Sequence, residues 1–161
     1  MSLKRGKEKN RLEYDIPSII KFIEDNPNAK IYLGGDSLRI KKDKVKFATV
    51  ICIHYDGHKG AKIFGKIDYH NISDAKLGRP INRMLKEVEL IIEMFKDLED
   101  ILTERADDVS IHLDIASDKQ HGSNVAYHSA KGMVMSITGI EPMFKNDSFA
   151  SSFAADHYLH N

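Results

Sequence analysis

Three stretches with strand character follow one another with only short turns between them: Lys30 to Leu38, Val45 to Tyr55 and Ala61 to Asp68. In the first, Ile31 and Leu33 share a face by the two-residue period of a strand. The second is β-branched and almost wholly apolar at its centre, Ala48-Thr49-Val50-Ile51-Cys52-Ile53. Asp56-Gly57-His58-Lys59-Gly60 is a turn signal leading into the third. Parallel neighbours need a crossover of a dozen or more residues, and these connections are shorter. The run therefore predicts an antiparallel meander to which the remaining elements must be added.

Those elements alternate. Pro80 to Leu102 reads as a long helix whose apolar face is formed by Ile81, Met84, Leu85, Val88, Ile91, Ile92, Phe95 and Leu98. Val109 to Ile115 is a strand, with Val109, Ile111, Leu113 and Ile115 alternating against Ser110, His112 and Asp114. Asn124 to Thr138 is a weaker helix rich in small residues and closed by Gly139. Pro142 to Lys145 makes a short last strand, and Asp147 or Ser148 caps a final helix running towards Leu159. Ahead of the meander, Ile16 to Asp25 is a short amphipathic helix ended by Asn26-Pro27. The order, a helix and then β-β-β-α-β-α-β-α, predicts an α/β fold with a mixed five-stranded sheet flanked by crossover helices.

The chain has 161 residues, enough to bury a core as one domain, with residues 1–29 as an N-terminal extension carrying the short helix. Hydrophobic residues make up 42% and charged residues 30%, a globular balance that argues against disorder. No apolar run approaches the roughly 18 residues of a membrane helix, and the basic stretch Lys4-Arg5-Gly6-Lys7 leads into no apolar secretion segment. No membrane partner and a cytoplasmic location are the expectation. Cys52, the only cysteine, sits in an apolar strand pattern as a small core residue, which excludes disulfide frameworks and cysteine-clustered zinc. Net charge is zero, which counts mildly against a nucleic-acid binder. Charge is unevenly spread, however. Lys41, Lys42, Lys44 and Lys46 cluster around one expected turn, where the bland reading is a solvated hairpin tip.

Four carboxylates stand out. Asp36 ends Ile31-Tyr32-Leu33-Gly34-Gly35-Asp36, and Asp114 repeats the situation in Ile111-His112-Leu113-Asp114. A carboxylate late in an apolar strand is costly to desolvate unless something compensates it. Either alone also reads as a hydrogen-bonding structural Asp. Two in matching positions favour a cation site, because their repulsion asks for one. Glu87 falls near the edge of the long helix's apolar face, with solvated helix surface as the alternative. Asp156 follows Phe149 and Phe153 at i+7 and i+3 spacing, on the inward stripe of the last helix. Asp147 competes with it but is explained as an N-cap. Four carboxylates without a cysteine cluster describe a hard-oxygen site suited to Mg²⁺ or Mn²⁺. Two such ions would serve phosphodiester hydrolysis. Among the histidines, His112 reads as a core or interlayer residue, and His121 as a loop residue able to relay protons. Lys145 could face a phosphate, or snorkel at the surface.

With the element order, the motifs Gly34-Gly35-Asp36-Ser37, His112-Leu113-Asp114-Ile115 and Ala155-Asp156, together with Glu87, resemble the ribonuclease H-like superfamily. More narrowly, Gly-x-Asp-Ser, His-x-Asp-Ile and Asp147-Ser148-Phe149-Ala150-Ser151 resemble the bacterial YkuK-like proteins. The resemblance runs from about Lys30 to Leu159. It implies one ribonuclease H-like domain over 1–161, with Asp36, Glu87, Asp114 and Asp156 as catalytic metal ligands. It also implies that the first strand lies beside the strand after the long helix, bringing Asp36 and Asp114 together. Asn82-Arg83-Met84 looks like the matching helix entry. In ribonuclease H the acid follows that Arg-Met directly, whereas Leu85 and Lys86 intervene here. Asn146 stands where the narrower family has a proline.

The implied function is a Mg²⁺- or Mn²⁺-dependent nuclease acting on nucleic acid: RNA, an RNA/DNA hybrid or structured, branched DNA. A Holliday-junction resolvase reading would need a homodimer. From a different class, the same fold could carry a non-catalytic nucleic-acid or protein-binding module, which zero net charge and the absence of tryptophan suit.

Overall fold

The structure, a computed structural model, describes residues 11–55, 60–114, 124–144 and 158–159. The meander is present as β2 (Lys30–Lys41), β3 (Lys44–His54) and β4 (Ala61–Asn71), paired antiparallel in sequence order. β5 (Val109–His112) lies parallel to β2 on its far side. A short β1 (Arg11–Glu13) runs parallel to β4 at the other edge. The five-stranded order is β1-β4-β3-β2-β5. β1 was not expected: three residues are too few to show a period. The strand expected at Pro142 to Lys145 reduces, within the described residues, to a single parallel bridge between Met143 and His112. It is fixed by two backbone bonds, Leu113 N–H to Met143 O and Met143 N–H to Ile111 O, both 2.8 Å.

The helices are α1 (Ile16–Asp25), α2 (Pro80–Asp97), α3 (Glu99–Glu104) and α4 (Asn124–Thr138). α1 starts where Asp15 accepts the Ser18 N–H, with Pro17 in the first turn. The expected single helix from Pro80 to Leu102 is broken at Leu98, whose φ of −118° and ψ of 18° are not helical. Leu98 is nevertheless fully buried, so the break redirects the chain without leaving the core. None of the helices among the described residues is long and apolar enough to cross a membrane.

One face of the sheet, carrying Ile31, Leu33, Ile51, Ile53 and Ile111, packs against α1, α2 and α4 in the main core. The other face carries Ala48 and Val50 under Leu159. There the Tyr158 hydroxyl donates to the backbone oxygens of Leu12 (2.9 Å) and Ile63 (3.1 Å). Its ring covers Gly65, where an added Cβ would come within 2.2 Å of ring atoms. Only glycine permits that contact. Cys52 is buried and free, as expected, and burial pushes its thiol up to about 11.

Arg105 ties the end of α1 to the region after α3. Its guanidinium donates to the carbonyls of Ile23 (3.1 Å), Asn26 (3.4 Å) and Ala29 (2.9 Å), and to Asp108 (3.3 Å). A cation satisfying carbonyls at a helix C-terminus is favourable in both hydrogen bonding and dipole. Arg105→Ala is expected to lower the unfolding free energy by about 2–3 kcal/mol, read from the shift of the urea midpoint. Lys at this position should recover only part, because it lacks the planar fork.

Candidate functional site

β2 is twelve residues long, but β5 accompanies it only over Ile31–Gly34, the last register pair being Gly34 with His112. Beyond that pair β5 ends while β2 continues beside β3. The two parallel strands therefore part at their carboxyl ends, the position where open α/β sheets form crevices. Asp36 lies two residues beyond Gly34, and Asp114 two beyond His112. Asp36 continues β2 on the face of Gly34, and Asp114 lies in the segment just past the end of β5. The strand adjacency implied by the resemblance, β2 beside the strand that follows the long helix, is present.

Glu87 arrives from α2, which covers the opposite face. An added Cβ at Gly35 would come within 3.1 Å of the Ala48 carbonyl and 3.4 Å of Ile91, so the missing side chain lets α2 settle closely on β2. One helical turn from Ile91 is about 6 Å, close to the two-residue step from Gly35 to Ser37. Glu87 accordingly meets Ser37, whose hydroxyl donates to its Oε1. Asp36 Oδ1 accepts the Ser37 N–H at 2.8 Å. Ser37 thus touches both acids.

Asp36 and Asp114 are half-buried, while Glu87 is only 8% exposed. Burial pushes the Glu87 carboxyl up to about 8, and the neighbouring charges of Asp36 and Asp114 push in the same direction. The Ser37 hydrogen bond and Arg83, one turn earlier on α2, oppose the rise. Both aspartates are thus within electrostatic reach of Glu87. Among the described residues no group of three or more His, Cys, Asp or Glu is drawn together closely enough to hold a metal ion as it stands. His112 is buried and meets the Tyr32 ring edge-on at 5.3 Å. Burial lowers it to about 4, so it is neutral at ordinary pH, in keeping with an interlayer residue.

Asp156, the fourth expected acid, lies outside the described residues, as do Asp147, His121 and Lys145. Two contributors carry no role in the sequence pattern alone. Ser37 was quoted within a motif but given no role, and its contact with Glu87 spans 50 positions. Arg83 was noted in the helix entry; its i, i+4 spacing to Glu87 was the available signal.

A protein-family model described as Ribonuclease H-like matches residues 16–160. No curated protein and no solved structure gives a match.

Proposed function

Since the chain belongs to the ribonuclease H-like family, we propose that it is a divalent-metal-dependent nuclease whose site comprises Asp36, Glu87, Asp114 and Asp156. The observation that carries this reading is the Glu87 carboxyl, buried against the sheet, bonded to Ser37 and facing the charges of Asp36 and Asp114 near the end of β5. Arg83 and the Ser37 hydroxyl act against the like charges of Asp36 and Asp114, so acids outnumber cations around this buried carboxyl. A donor set made only of carboxylate oxygens fits Mg²⁺ or Mn²⁺. When bound, such ions would activate a water and steady the leaving oxygen of a phosphodiester.

The chain's own residues do the positioning. Asp36 offers a carboxylate from β2, Asp114 one from just past the end of β5 and Glu87 a third from the helix, where the Ser37 hydroxyl holds it. Asp156 is favoured over Asp147 as the fourth acid because it follows Phe149 and Phe153 at inward helical spacing, whereas Asp147 is explained as an N-cap. On its motifs we place the chain among the YkuK-like proteins. The substrate class is RNA, an RNA/DNA hybrid or branched DNA.

The test is cleavage of end-labelled strands of these three kinds with Mg²⁺, with Mn²⁺ and with chelator. Metal-dependent cleavage of at least one is expected. Uncleaved strands throughout, from folded protein, would overturn the proposal.

A further inference from the structure

The lysines at the β2–β3 turn share their end of the sheet with an aromatic side chain that the fold leaves uncovered. Tyr69 on β4 is 59% exposed, the largest exposure of any large hydrophobic side chain among the described residues. Register places it directly opposite Lys46, and Lys46 opposite Leu38. The neighbouring row on the same face is Asp36, Ala48 and Ile67. Tyr69 therefore looks out from the face that carries Asp36, one row along and two strands over, about 12 Å away by strand geometry.

Beside it is a cleft of about 250 Å³ lined by Lys44, Tyr69, His70, Asn71 and Asp74. The Asp74 carboxylate accepts the Asn71 N–H at 3.3 Å, which fixes one wall. Arg39, Lys41, Lys42 and Lys44 are all exposed at the adjoining turn, with Asp43 the single acid among residues 39–44. The Arg39 guanidinium donates to the Lys42 carbonyl at 3.0 Å, which steadies the turn. On the inner side, Lys46 Nζ donates to the Leu159 carbonyl at 3.0 Å and Leu38 packs against the cluster of Leu159, so this row borders that residue with Tyr69 at its exposed end.

A basic turn beside an exposed aromatic and a polar-walled cleft is the combination that holds single-stranded nucleic acid. Lysines meet successive phosphates, and an aromatic face accepts a base of any identity. A neutral chain need not be a poor binder if its cations are gathered in one place. We propose that this end of the sheet binds a single-stranded segment of nucleic acid. One base stacks on Tyr69 over the cleft, and the flanking phosphates meet Lys41, Lys42 and Lys44. The strand then continues along the same face towards Asp36. The last step rests on the nuclease reading above; the binding itself does not.

The experiment measures binding and chemistry separately. Fluorescence anisotropy of a short labelled oligo(U) in chelator reports binding without cleavage. Tyr69→Ala is expected to weaken it about tenfold, and Tyr69→Phe to leave it unchanged. Combined Lys41→Ala, Lys42→Ala and Lys44→Ala should flatten the slope of log K against log salt by about 2. These residues are exposed, so unfolding does not confound the result. Wild-type protein that fails to bind, or Tyr69→Ala that binds like wild type, overturns the proposal even if metal-dependent cleavage is found. Binding lost in Tyr69→Ala sustains it even if no cleavage is found, in which case the nuclease reading fails alone.

Discussion

Asp36→Asn is expected to lower metal-dependent cleavage by about a thousandfold while the fold stays intact. The substitution keeps the shape of the side chain and its ability to accept the Ser37 N–H, but removes the charge. A cation stabilising developing charge contributes several kcal/mol to the barrier, which is two to three or more decades in rate. Asp36 is half-buried and shares its site with like charges, so its loss should not destabilise the protein. Asp114→Asn should behave alike, and the double variant should be little worse than either single one, because the residues act as a unit. Cleavage rates with Mn²⁺, together with urea unfolding, separate the two quantities. Full activity in either variant would remove that residue from the site.

Glu87 yields the second large effect, on stability. In the unfolded chain its carboxyl titrates near 4.5, and in the fold at about 8. Between those values the folded state holds a proton that the unfolded state has released. The group's contribution is therefore fully present below about pH 4.5 and is lost as pH rises through about 8. The shift corresponds at most to about 5 kcal/mol. Stability of the metal-free protein should thus decline from about pH 5 to about pH 8. Glu87→Gln keeps an acceptor for the Ser37 hydroxyl and cannot ionise. It should be a few kcal/mol more stable than wild type at about pH 8.5 and nearly equal at pH 4.5. Mg²⁺ should raise the wild-type Tm more at pH 8 than at pH 6, and should do less for the variant. Urea unfolding across this range decides the matter: a flat wild-type profile would show that the carboxyl is not held against its neighbours' charge.

Much of the architecture was legible because its signals are local. α1 spans the expected Ile16 to Asp25 and stops at Asn26-Pro27, and the meander follows from strand periods and short turns. What escaped depended on other parts of the chain. Leu98 continues the apolar stripe of α2 perfectly well; nothing in its spacing announces non-helical angles there. Leu90 and Met94 are buried although they fall off the expected stripe. α2 packs against α4 as well as the sheet, and Leu90 joins Phe47 and Leu77 in a separate cluster, so the covered arc is wider than one face. For the site, Asp36 and Asp114 were visible as acids in apolar strands, and their adjacency came from resemblance. Glu87 could be placed only near a helix edge. Its burial depends on Gly35, more than fifty positions away, letting the helix approach.

The Tyr158 contact bears on how the molecule assembles. The hydroxyl joins positions 146 residues apart to Leu12 and 95 apart to Ile63. Closing such loops from an open chain carries a large entropy cost, whereas each hairpin of the meander closes over a few residues. The contact becomes accessible only when β4 is already in the sheet and Gly65 presents its bare surface. Chain order and folding order are therefore expected to diverge, with the middle of the sequence forming the template and both flanks fastened to it afterwards.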